Sequence, residues 1–289
     1  MNNQSKTLLL LTVPPKHISA LASVLLDLKK FSPNLVDKIL VYHDGISLHD
    51  QKCINKIVPV EFAEYTFPQS DIVKRFNTTV SQYFSPLIFA RFEAFQLIDD
   101  YSLVIYSDYD ILIRQDISDL ISPCSSGLRV IPSTTTLRDC LTQEIEGYTM
   151  TTKTFSGGLF TLHKNFPNPK LFYRTCHSLI NEYAELLYVP DIAVMVIAWI
   201  KCNFTPDFTI DHHAYCSHPQ KDVLSEDVKI LHCYGQPKFW NGLYCEQWEE
   251  NYKTWINLGG TPYFERTYQY KLTEFSKKIY RRFKSFFLK

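Results

Sequence analysis

The sequence predicts an α/β fold, with a mostly parallel central sheet flanked by helices. Three observations point there. Leu103–Tyr106 is an unbroken apolar run, the pattern of a strand buried on both faces. Strand-like and helix-like segments alternate through the first hundred or so residues. The 289-residue chain is 45% hydrophobic and 21% charged, which suits a sizeable globular core.

In order, Leu8–Val13 reads as the first buried strand. His17–Phe31 carries Ile18, Leu21, Leu25 and Leu28 at helical spacing. Ile39–Tyr42 is a second strand, closed by the turn signal Asp44-Gly45, and Ile57–Phe62 a third. Ser85–Asp100 reads as a helix with Pro86 in its first turn. The central strand follows. Beyond it, Leu128–Ile131 is a short strand, and the polar, threonine-rich stretch 133–154 is read as loop with some helix. Gly158–Leu162 is a further strand. Pro169–Leu187 and Asp191–Ile200 are helical by periodicity, Val228–Cys233 is a late strand, and Glu246–Leu258 a last helix. No repeat, low-complexity segment or linker interrupts this, so the expectation is one domain over 1–258 and a helical tail over 259–289.

The stretch Leu103–Ile113 organises the chemistry. Asp108 and Asp110 follow the buried run with one residue between them. In extended backbone, residues i and i+2 point to the same side. Two carboxylates aimed together repel, and a divalent cation removes that cost. Magnesium and manganese prefer carboxylate oxygens and keep positions open for phosphate. Open α/β sheets bind ligands at strand ends such as this one.

Composition excludes several classes. Lysine plus arginine equals aspartate plus glutamate at 30 each, so no global basic field draws nucleic acid. No stretch approaches the ~20 apolar residues of a membrane span, and Pro14-Pro15 cuts short the apolar N-terminal run, which predicts no signal peptide. Eight cysteines without a C-x-x-C pair read as reduced thiols in a cytosolic protein.

His232 ends the late strand and opens His-Cys-Tyr-Gly-Gln-Pro-Lys-Phe-Trp, residues 232–240. Gly235 permits close approach of backbone to ligand, and Lys238 offers a point charge for phosphate. An imidazole joining two carboxylates shifts metal preference toward manganese. Asp211-His212-His213 with Cys216 and His218 raises zinc as an alternative, but the spacing fits no standard pattern, and a surface or acceptor-side loop is the favoured reading.

These residues resemble the GT-A glycosyltransferases, closest to the family 8 type that includes glycogenin and bacterial lipooligosaccharide galactosyltransferases. The resemblance spans roughly residues 7–242. Asp108-x-Asp110 matches one family motif. His232, Gly235, Lys238 and Trp240 match the other, with Phe239 where proline is usual. Phe155-Ser156-Gly157-Gly158 resembles the family's Phe-Asn-Ser-Gly turn. The resemblance implies a Rossmann-like GT-A sheet and a metal, Mn2+ or Mg2+, at Asp108, Asp110 and His232. It implies a UDP-sugar donor bound by Thr12, Arg91, Asp108, Ser156, Gly157, Gly235 and Lys238, with Thr12 contacting the base through backbone. Asp110 and Asp191 are the implied catalytic residues, Asp191 orienting the donor sugar or the acceptor hydroxyl. Pro190 stands where the family has an amide against the sugar. The implied activity is retaining transfer of a hexose, galactose or glucose, to a glycan or lipid-linked glycan in bacterial surface polysaccharide or lipopolysaccharide synthesis.

Two other readings compete. A nucleotidyltransferase shares metal-bound nucleotide chemistry but needs a glycine-rich basic loop after the first strand, which Thr12–His17 lacks. A degenerate carbohydrate-binding scaffold is opposed by intact Asp108, Asp110, His232 and Lys238. In the tail, Phe275, Ile279, Phe283 and Phe286 mark one helical face, flanked by Lys277, Lys278, Arg281, Arg282 and Lys284. That composition predicts a helix on an anionic membrane surface, hence a cytoplasmic protein peripheral at the inner face; a tail helix packed on its own domain is the alternative.

Overall fold

A computed structural model describes residues 6–76 and 84–263. Six strands form the main sheet: β1 (Thr7–Thr12), β2 (Lys38–His43), β3 (Glu61–Glu64), β4 (Leu103–Ser107), β6 (Leu128–Thr136) and β7 (Lys153–His163). Their order is β3-β2-β1-β4-β7-β6. The first four in that order run parallel, and β7 lies antiparallel to both its neighbours. A two-stranded ribbon pairs β5 (Ile111–Ile113) with β8 (Ile230–His232), antiparallel. The mixed α/β, mostly parallel architecture expected from the sequence is therefore present.

The unbroken apolar runs have a direct physical cause. Successive side chains of a strand point to opposite faces, and both faces of β1 and β4 are covered. Leu8, Leu10, Val104 and Tyr106 enter one core with helices α4 (Pro169–Tyr183) and α5 (Pro190–Lys201). Leu9, Leu11, Leu103 and Ile105 enter the other, against α1 (Ile18–Phe31). A third, smaller cluster joins Leu112 and Leu231 of the ribbon to Trp240, Trp248 on α7 (Glu246–Asn257), and Tyr263.

Several elements differ from their sequence readings. The third strand begins at Glu61, because Ser47 caps α2 (Leu48–Ile54), accepting from Asp50 N at 3.1 Å, and the following turn occupies 55–58. The helix expected over 85–100 is mostly 3-10 (Pro86–Glu93), with one α-turn, α3 (Ala94–Leu97). Phe89, Phe92 and Phe95, all fully buried, recur at every third residue, the period at which a 3-10 helix aligns side chains. Strands β6 and β7 extend into the stretch read as loop. Threonine is polar yet β-branched and suits strands, and β6 is an edge strand where its outer half stays exposed. Only 230–232 of the late segment pairs as a strand.

Among the described residues, the segment 258–263 after α7 stays on the body: Thr261 N and Oγ1 donate to Asp50, and the Trp255 indole donates to Thr261 O at 2.9 Å. The expected membrane-facing helix, Phe275–Lys289, lies outside the described residues. Among the described residues, no helix is long and apolar enough to cross a membrane.

Candidate active site

Sheet register builds the site. β4 pairs with β7 so that Ser107 faces Leu159, and Asp108 N donates to Gly158 O at 2.8 Å. The ribbon pairs Ile111 with His232, and Cys233 N donates to Asp110 O at 2.9 Å. Two acids at the end of β4 are thus brought against a histidine far along the chain. His232 Nε2 lies 3.3 Å from Asp110 Oδ1 and 4.0 Å from Asp108 Oδ2. Ligand atoms of Asp108, Asp110 and His232 all fall within 4.8 Å of one another. Among the described residues no other group of three such side chains does so. Two carboxylate oxygens and one imidazole nitrogen fit manganese or magnesium, and Asp108 keeps a quarter of its side chain open to incoming groups.

The two acids have different surroundings. Asp108 Oδ1 accepts from the Tyr106 hydroxyl at 2.6 Å and from Arg91 Nη2 at 3.2 Å. Since Tyr106 gives its proton to Asp108, Thr12 Oγ1, at 3.2 Å, donates to Tyr106. Arg91 is buried, with every nitrogen donating within the protein. Nε reaches Ile88 O, Nη1 reaches Gly157 O and pairs with Asp191, and Nη2 holds Asp108. Its guanidinium lies over the Tyr106 ring at 4.7 Å. Asp191, in the first turn of α5, is almost fully buried. Burial pushes its carboxyl pKa up and Asp108 adds to this; Arg91 pulls the other way without overcoming them.

Asp110 instead pairs with Lys238 and His232. Burial alone would raise its pKa, but the two cationic neighbours outweigh that and hold it below the usual carboxylate range. His232 and Lys238 are raised in turn: burial opposes their charge, and Asp110 more than compensates. Lys238 also donates to Cys233 O at 2.7 Å.

Two glycines are needed for this packing. A Cβ on Gly158 would lie 2.3 Å from His232 Cε1, and one on Gly157 2.8 Å from Arg91 Nη1. Ser156 points its hydroxyl at Cys216 Sγ, 3.2 Å away, and the same sulfur lies 3.3 Å from His232 Nδ1. Gly235 has φ +73, a left-handed conformation that favours glycine.

Some residues carried no functional reading in the sequence. Tyr106 could have been found by the i, i+2 rule that aligned the acids. His17 contacts Tyr109 (Nδ1 to OH, 2.7 Å) and Trp240 (ring centroids 4.7 Å), and burial drives its pKa down to about 3. Nothing local in the sequence announces that cluster. The 211–218 segment is only partly the surface loop expected: Asp211 and His212 are exposed, but 212–216 forms the short helix α6 (His212–Cys216), and Cys216 and His218, on it and just beyond it, are buried. Nor do its side chains converge as zinc ligands. Asp211 caps the helix by accepting from Ala214 N, His213 meets Ser225, and Cys216 backs His232.

The likeness to known proteins agrees with this geometry. No curated protein matches the chain in sequence. Among solved structures, the galactosyltransferase LgtC, crystallised with donor and acceptor sugar analogues, is 13% identical with a TM-score of 0.67, covering 90% of this chain and 99% of that one. The bifunctional glycosyltransferase WbbM is 14% identical with a TM-score of 0.61, covering 92% of this chain and 52% of that one. The glycosyltransferase GlyE from Streptococcus pneumoniae TIGR4 is 14% identical with a TM-score of 0.55, covering 96% and 64%. At this identity the likeness shows the GT-A fold. The family model for glycosyl transferase family 8 matches residues 15–243, a span from the loop after β1 to the far side of the His232–Trp240 motif. The chain belongs to glycosyl transferase family 8 and is a glycosyltransferase.

Proposed function

We propose that the protein moves a hexose, galactose or glucose, from a UDP-sugar to a glycan acceptor, with retention at the anomeric carbon. The observation that carries this is the convergence of Asp108, Asp110 and His232 beside Lys238 at the end of β4. A manganese or magnesium ion held by those three side chains would supply positive charge to the diphosphate as it leaves. Lys238, close to Asp110, adds a second positive charge at the same place. Arg91 holds Asp108 and Asp191 in position from the buried side. Asp191 bears on the sugar or the acceptor hydroxyl from the start of α5. Thr12, Ser156, Gly157 and Gly235 line the donor side by this reading. The galactosyltransferase among the structural neighbours supports a hexose donor.

Titration calorimetry with UDP and Mn2+, together with donor hydrolysis, tests this reading. Chelation is expected to abolish hydrolysis, and Asp110→Asn to lower it by at least about a hundredfold in a folded protein. Unchanged activity of that variant in chelator would overturn the metal assignment. Binding of another nucleotide in place of UDP would overturn the donor class.

The acceptor proposed from the tail's composition is a lipid-linked glycan of bacterial lipopolysaccharide or surface polysaccharide, met at the inner membrane face. Sedimentation with anionic liposomes, lost on removing residues 275–289 while donor hydrolysis persists, is the expected result. Equal sedimentation of the truncated chain would overturn it.

A further inference from the structure

We propose that Lys221 is a second lysine for the donor diphosphate, poised on the Gly235 turn; this rests on the donor reading above. Gly235 lies between His232 and Lys238, and its left-handed backbone leaves the turn bare of side chain. A Cβ built there would sit 3.6 Å from Lys221 Nζ. The ammonium therefore rests against the very backbone that this reading gives to phosphate.

Local structure holds it in that place. The Lys221 ammonium lies 4.4 Å from the centroid of the Tyr234 ring. That ring is fixed edge-on by His218 at 4.9 Å and by His232 at 5.6 Å. The turn bearing Lys221 is tied to His218. Asp222 Oδ2 accepts from His218 N at 2.6 Å, and Gln220 N donates to His218 Nδ1 at 3.1 Å. Lys221 N and Asp222 N both donate to His218 O.

Its charge is also available. Lys238 is committed to Asp110 and to Cys233 O. Lys221 forms no ion pair among the described residues, only the contact with Tyr234. A ring face holds an ammonium weakly at an exposed site, so phosphate oxygens can take it over. A lysine, with three donors on a flexible stem, suits that exchange.

The test is calorimetry of the full chain with Mn2+ and UDP, in the parent, Lys221→Met and Lys221→Arg, with uridine binding read by ligand-detected NMR. Lys221→Met is expected to weaken UDP roughly fivefold to tenfold and to leave uridine unchanged. Lys221→Arg should stay within about twofold of the parent, and rising salt should shrink the Met effect. UDP binding unchanged in Lys221→Met, with the parent binding normally, overturns the role of Lys221 alone. Equal loss for uridine means that the side chain acts through the fold, and also overturns it. A parent that binds no UDP removes the donor reading and this inference with it.

Discussion

Asp108 and Asp110 are separated by one residue, yet each is neutralised from a different part of the chain. Asp108 is held by Tyr106 on its own strand and by Arg91 on the preceding 3-10 helix, and Arg91 also neutralises Asp191. Asp110 is held by His232 and Lys238, which arrive through the β5–β8 ribbon. The Arg91–Asp191 pair is sealed, with side chains only 5% and 4% exposed. Lys238 is less buried, at 15%, and Asp108 itself is the most open of these groups, at 25%. A sealed ion pair behind the acids contributes mainly to folding and to geometry, and a less buried cation beside them can bear on a ligand.

Substituting the two cations tests that contrast most strongly. Arg91→Met leaves Asp191 buried without a counter-charge and is expected to cost about 3–5 kcal/mol in denaturant unfolding. Lys238→Met leaves Asp110 paired with His232. It should cost much less stability and weaken UDP binding about tenfold, measured by calorimetry. If Lys238→Met destabilises as much as Arg91→Met, the distinction between sealed and open sides is wrong.

The pH dependence of stability should differ in sign between the sides. Asp110 has a folded pKa depressed below its ordinary 3.8. The folded state therefore binds fewer protons there than the unfolded chain. Its contribution is present above that value and is lost as pH falls through the folded pKa. Asp191 is raised above 3.8, burial being the main cause. The folded state binds its proton more tightly, so its contribution declines as pH rises from 3.8 through the raised value. In chelator, urea unfolding across that acid range should show the parent's advantage over Asp110→Asn growing with pH. The advantage over Asp191→Asn should shrink. Parallel curves would mean that both acids share one environment.

The same division explains what was legible in the sequence. β1 and β4 announce themselves because both faces are covered, so their residues are apolar without alternation. The alignment of Asp108 with Asp110 follows from strand periodicity alone. His232 is different: nothing local ties it to those acids, and the motif resemblance carried it until the ribbon register supplied the contact. The outer half of β6 reads as loop because an edge position tolerates polar residues, and the start of β7, which pairs with that half, reads as loop with it. The partners of Arg91 were invisible for another reason. Gly157 O comes from β7 of the sheet and Asp191 from helix α5, and residue identity carries no record of how those two elements meet. The Cys216 contact with His232 was hidden likewise, inside a segment whose histidines suggested a metal.

The smallest expected effect sharpens the Asp108 side. The Tyr106 ring stacks on Phe160 at 5.0 Å and lies under Arg91, so Tyr106→Phe keeps both contacts. Only the hydroxyl is lost, and with it the 2.6 Å bond to Asp108 and the acceptor for Thr12. Asp108 remains held by Arg91. The expected cost is roughly 1–2 kcal/mol of stability, the range for leaving one buried hydroxyl unpaired. Mn2+ affinity, followed by electron paramagnetic resonance, should fall about tenfold, the lower end for an outer partner of a metal ligand. Thr12→Ala in the Tyr106→Phe background should then cost little more, since the Thr12 hydroxyl has already lost its acceptor. A full additive loss would mean that Thr12 acts independently of the Tyr106–Asp108 chain, and that Arg91 alone sets the position of Asp108.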